Sequence, residues 1–225
     1  DRYPLKINDL IIMDVDVDTA PEKILWSSDQ DQADRTLPNV GLSGDRYKRP
    51  AKTIGDNIPY TGSVLSIDLS CLGKDETGYA VVTMLNGQLF VPDAGGIRGG
   101  YDEVTLKRLV SIAKDNKVNK VVIESNFGDG MFTELIKPYL LKTHPVTIEE
   151  VRHSKQKEAR IIDTLEPVMN QHRLVIDPKV IQKDYDSVQD MPPEKGIKYM
   201  LTYQMTRITK TRGALAHYDR LDRSE

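Results

Sequence analysis

The chain has 225 residues, 39% apolar and 29% charged, and 31 Lys and Arg against 34 Asp and Glu leave a formal charge of -3. This is the composition of one large folded domain, or one domain with an arm, and it excludes a disordered or fibrous chain. No apolar run approaches the roughly 20 residues of a membrane-spanning helix, and the lone Cys71 cannot close an internal disulfide.

Four His and one Cys are too few to make a zinc cluster an attractive reading. The even charge balance argues against a nucleic-acid binder working through bulk charge. A nuclease whose carboxylates are neutralised by bound cations escapes that objection. The chain begins at Asp1 rather than Met, as expected of a piece of a longer protein.

Residues 1–60 hold one short apolar run, 10–17, and then polar sequence broken by Pro38, Gly41, Gly44 and Pro50. That pattern predicts a connecting arm with one or two short strands, and the main domain is expected over 61–225. Asp14, Asp16 and Asp18 alternate as in a calcium loop, but the glycine and distal glutamate are missing, so a strand with an acidic wet face is expected. Trp26 reads as a packing anchor.

Strands are predicted at 63–69, 78–85 and 88–92. A turn joins the first two at 71–77, and Asn86-Gly87 joins the second pair, since both residues tolerate positive φ. The glycine-rich run 95–100 precedes no helix at the spacing of a dinucleotide fold and reads as a mobile loop, one that could approach a nucleic acid. From residue 102 the apolar period lengthens: helices are predicted at 102–114, 129–141, 157–170 and 195–208, with one more opening at Asp219. Short apolar runs at 120–124, 145–151 and 173–176 read as strands between them.

Three antiparallel strands followed by alternating helices and strands specify an α/β fold of the ribonuclease H-like order. Its core is a mixed five-stranded (or larger) sheet with helices on both faces. In that order the first strand neighbours the fourth, so Asp68 and Glu124 meet near the sheet centre. Asp68 interrupts an apolar strand, where an unpaired carboxylate is costly. Glu124 ends a strand, at the edge where open α/β sheets bind ligands. Asp219 suits a helix N-cap, with Asp222 one turn along. Clustered carboxylates repel until divalent cations relieve them, and hard oxygen donors select Mg²⁺ or Mn²⁺ over Zn²⁺.

The segments SVLSIDLS, VVIESNFGDG, SKQKEARIIDTLEPVMNQHRLVID and GALAHYDRLD together resemble the nuclease domain of large terminase subunits, the DNA-packaging proteins of short-tailed double-stranded DNA phages. The resemblance extends upstream through RYPLKINDLIIMD and PNVGLSGDRYKRP, and so covers most of the chain. It implies that Asp68, Glu124 and Asp219 are the catalytic metal ligands, with Asp222 as a further candidate. Tyr218 departs from the family, standing where the first Asp of its common His-Asp-Asp motif falls. It further implies two Mg²⁺ or Mn²⁺ ions, double-stranded DNA as substrate, and a small terminase subunit, a portal protein and an ATPase domain as partners, in the host cytoplasm during virion assembly. No G-x-x-x-x-G-K-[ST] phosphate loop is present, so the ATPase is expected outside this chain.

Two basic groups are candidate DNA contacts: Arg152, Lys155, Lys157 and Arg160, then Arg207, Lys210 and Arg212. Neither has base-reading character, so little sequence specificity is expected. Two rival readings share these residues. One is a decayed nuclease that only docks DNA or portal. The other is an actin- or sugar-kinase-like nucleotide-binding domain, for which an adenosine motif and a second domain are missing.

Overall fold

The computed structural model describes residues 3–69, 76–124, 130–213, 215 and 221. A seven-stranded mixed sheet carries the fold. Its strands in chain order are β1 (Ile11–Ile12), β4 (Gly62–Asp68), β5 (Glu76–Leu85), β6 (Gln88–Arg98), β7 (Lys120–Glu124), β8 (Thr147–Val151) and β9 (Leu174–Ile176). A separate two-stranded sheet pairs β2 (Thr19–Leu25) with β3 (Lys52–Pro59).

Across the large sheet the order is β1-β9-β6-β5-β4-β7-β8. Strands β4, β5 and β6 form the antiparallel meander, while β7 runs parallel to β4 and β8 parallel to β7. The turn between β5 and β6 sits at Asn86 and Gly87, with φ of 52° and 79°, the conformation that the Asn-Gly pair accepts at least cost. The five predicted core strands are thus present, the further strand predicted at 173–176 is β9, and β9 and β1 extend the sheet past β6. The arm contributes β1, because Ile11 and Ile12 pair in parallel with Val175 and Ile176.

Helices α1 (Glu103–Asp115), α2 (Met131–Thr143), α3 (Lys157–Asn170), α4 (Pro178–Asp186), α5 (Pro193–Gly196) and α6 (Leu201–Arg207) complete the chain. Strand alternation divides them between the two faces. Leu65, Ile67, Tyr79, Val81, Val121 and Ile123 point to one side and pack with α1 and α2. Ala80, Val91, Leu174 and Ile176 point to the other, against α3, α4, α6 and the arm residues Leu5, Ile7, Leu10 and Tyr47. Each of these apolar side chains is nearly or fully removed from water, and about 25 cal/mol per Å² of such burial is the main force closing both layers.

Three predicted boundaries are corrected. Strand β6 continues to Arg98, through the glycines that read as a mobile loop. Its register against β5 slips between Val81 and Thr83, leaving one extra β6 residue at Val91–Pro92, a bulge in which the missing proline N–H is tolerated. Gly96 leaves room beyond the bulge for the Glu76 carboxylate, which lies 2.0 Å from where a Cβ would stand and would have to move for any other residue. The single helix predicted at 195–208 is α5, a short 3-10 turn and α6, separated by extended Met200. Helix α4 was not predicted, although Asp177 followed by Pro178 is a plain start signal: Asp177 Oδ1 accepts from Lys179 N at 2.8 Å, and proline suits the first turn. The predicted helix opening at Asp219 lies outside the described residues.

The arm is pinned to the sheet side by aromatic stacking. Trp26 and His172 lie parallel with ring centroids 3.6 Å apart, and His172 Nδ1 is 3.1 Å from the Asp9 carbonyl oxygen. Burial raises the Asp9 carboxyl above the usual range, with His172, Lys6 and Lys48 drawing it part of the way back. A carboxyl raised in the folded state gives stability below its unfolded value, about 3.9, and loses it as pH climbs through the folded value. Asp9→Asn is therefore expected to gain melting temperature relative to the wild type between pH 4 and pH 7. A mutant that loses ground over that interval would contradict the assignment.

Candidate active site

The site begins with strand register. In the parallel pair β4–β7, Asp68 stands opposite Glu124, so the two carboxylates leave the same face of the sheet from neighbouring carboxyl ends. That face is the α3 side, opposite to the one that carries Ile67 and Ile123. Both acid side chains are 12% exposed. Two carboxylates held this close and this dry repel each other unless cations stand beside them.

Helix α3 supplies two such cations. Lys157 Nζ is 3.6 Å from Asp68 Oδ2, and Arg160 donates to Glu124 Oε1 at 3.4 Å. Their spacing puts them one turn apart on one helix face, each above one of the two strands. The pairs differ in burial: the Arg160 side chain is 11% exposed and that of Lys157 29%. Arg160→Met removes a nearly buried guanidinium from Glu124 and is expected to cost about 1–3 kcal/mol, whereas Lys157→Met removes a more exposed, solvent-screened ammonium and should cost at most about 1 kcal/mol. Urea unfolding compares them, and equal losses would show that burial does not set the difference.

Beside Glu124 lies a cleft of about 510 Å³ between the sheet and α3, lined by Ser66, Val122, Val151, Arg160 and Thr164 and by the loop residues Arg152, His153, Ser154 and Lys155. A second cleft, about 570 Å³, continues past Lys155 and Lys157 to Arg212 and Gly213. The first basic group thus borders the acid pair. The second divides. Arg212 lines the adjoining cleft, and Lys210 pairs with Asp163 of α3 at 2.8 Å. Arg207 instead turns inward: it donates to the Val40 and Gly41 carbonyls and stacks on Tyr203, which makes it a pin between α6 and the arm. We therefore omit Arg207 from the candidate DNA contacts.

Asp219 and Asp222 lie outside the described residues, as do His217 and Tyr218. Among the described residues no group of three or more ligating side chains forms, and the acid pair Asp68–Glu124 is what the sheet brings together. Its donors are all carboxylate oxygens, the set that suits a hard divalent cation, and its present counter-charges show that it accommodates positive charge.

Comparison with known proteins follows this geometry. Residues 67–174 match the family model described as the ribonuclease H-like domain of the bacteriophage T7 terminase. The large terminase subunit of Enterobacteria phage T3 is 44% identical over 222 residues, 99% of this chain, while the chain spans 38% of that relative's length. Two solved structures share the fold at low identity. A mutant fragment of the large terminase subunit of bacteriophage Sf6, solved with calcium, aligns with a TM-score of 0.50 at 12% identity, over 73% of this chain and 87% of that one. The human cytomegalovirus terminase nuclease domain also gives 0.50, at 11% identity, over 73% and 82%.

Proposed function

We propose that this chain, whose residues 67–174 match the ribonuclease H-like domain model of the T7 terminase, is the endonuclease segment of a viral DNA-packaging enzyme. Its reaction is hydrolysis of phosphodiester bonds in concatemeric double-stranded DNA, with little sequence preference. The observation that carries this reading is the Asp68–Glu124 register pair at the carboxyl ends of two parallel strands, beside a cleft lined with cations.

Asp68, Glu124 and Asp219, with Asp222 as a further candidate, would hold two Mg²⁺ or Mn²⁺ ions. Ions held there would supply charge stabilisation to the attacking and leaving oxygens. The calcium named in the Sf6 structure supports a divalent cation. The chain's own residues do the positioning. Asp68 and Glu124 fix where positive charge gathers. Lys157 and Arg160, already beside those acids, are placed to meet a phosphate oxygen arriving between the strands and α3. Arg152, Lys155, Lys210 and Arg212 engage flanking phosphates, which sets register on the backbone and reads no base. The small terminase subunit, the portal and the ATPase domain are the proposed partners, and the host cytoplasm during virion assembly the place of action.

Conversion of supercoiled plasmid to nicked and linear forms tests the reading. Cutting with Mg²⁺ or Mn²⁺ that stops in EDTA is expected. A folded chain that binds DNA and cuts with neither ion would instead be a docking module.

A further inference from the structure

The α3 side of β4, β7 and β8 is only partly roofed. Ser66 stands opposite Val122 on β7, Val122 opposite Glu149 on β8, and Glu124 opposite Val151, so these side chains share the face that carries the acid pair. None of Ser66, Val122 and Val151 belongs to a buried core cluster, and each is half-buried. The cleft of about 510 Å³ lies over them.

The walls of this cleft differ from its floor. Val122 and Val151 offer two apolar patches at the base. Ser66 and Thr164 add hydroxyls that can donate or accept, Arg152 and Lys155 stand around the mouth, and Arg160 lies deeper against Glu124. An apolar floor, adaptable hydroxyls and a cationic rim suit one nucleotide: base on the floor, phosphate at the rim. A base seated on that floor has left the duplex stack. Glu124 forms part of the same wall, which sets this pocket one step from the cutting position.

We propose that this cleft is a subsite for an unstacked nucleotide flanking the scissile phosphate, so that the strand being cut is held locally single-stranded. The inference rests on the reading of Asp68 and Glu124 as the cutting site. It makes substrate choice depend on how easily DNA opens, since extruding a base is cheapest where pairing is already weakened. Gapped or mismatched duplex is the preferred substrate, and intact duplex is cut after local opening.

The test uses the 225-residue chain in EDTA, where binding is read without cutting. Fluorescence anisotropy follows a labelled single strand of about 12 nucleotides. Thr164→Trp, at an exposed position of α3, fills the cleft and is expected to weaken this binding by about tenfold or more. In parallel, an iodouracil-substituted strand is photo-crosslinked to the wild type, which needs no mutant to fold. Cross-links should map to peptides holding Val122 and Val151. Affinity of a folded Thr164→Trp within twofold of wild type, or cross-links confined to other faces, overturns the proposal. Plasmid cutting by the wild type is scored separately. Cutting without cleft cross-links leaves the nuclease standing and removes the subsite, while cross-links without cutting do the reverse.

Discussion

Asp68→Asn and Glu124→Gln are each expected to lower metal-dependent plasmid cutting by about 10²–10³-fold or more. Both substitutions keep shape and most hydrogen bonding while removing one negative charge. Glu124→Gln leaves an amide oxygen for Arg160, so the guanidinium keeps an acceptor and the fold is retained. Divalent-cation affinity, read by calorimetry, should fall with activity, because the same charge serves both. Glu103→Gln is the control: that acid is exposed, pairs with Lys107 one turn along α1, which packs on the opposite face of the sheet, and it should change cutting by less than about twofold. Full activity in either isosteric mutant, with the control behaving as stated, would show that the acid pair is not the cutting site.

Asp177→Ala is expected to be the most damaging single change outside the apolar core, at about 2–4 kcal/mol of stability. The Asp177 side chain is 1% exposed. Its Oδ1 caps α4 through Lys179 N, its Oδ2 accepts from Val15 N at 2.9 Å in the buried arm, and its own N–H donates to the Val91 carbonyl of β6. Alanine removes the cap and leaves the Val15 N–H buried without that acceptor. The melting temperature should fall by roughly 5–15 °C for a chain of this size. A loss under about 1 kcal/mol would mean that the arm re-forms its bond elsewhere.

The strand and helix order was legible because periodicity is a local property. The meander with its Asn86-Gly87 turn, the alternation of helices and strands after residue 102, and the juxtaposition of Asp68 with Glu124 all follow from apolar spacing and short connections. The same spacing could not show that β6 runs through Gly95 and Gly96, because glycine in a strand reads as a break until a neighbour such as Glu76 is seen to need the space. Nor could it show the interruption at Met200: the N–H groups of Leu201 and Thr202 are taken by the Asp184 carboxylate, which approaches from α4. Helix α4 itself was readable from Asp177-Pro178 and was missed because its nine residues carry too short an apolar stripe to stand out.

What the sequence determined by itself was the meander, the placing of β4 beside β7 and the pair of acids, since a carboxylate inside an apolar strand and another at a strand end declare themselves through desolvation cost. What the tertiary structure decided was how the cations are distributed. The sequence offered seven Lys and Arg in two groups and singled out only Lys157, as the one nearest the scissile phosphate. Packing set Lys157 and Arg160 against the acids, left Arg152 and Lys155 at the cleft mouth, paired Lys210 with Asp163, and turned Arg207 inward onto Tyr203. A charge's role depends on distance and burial, and both are properties of the folded chain.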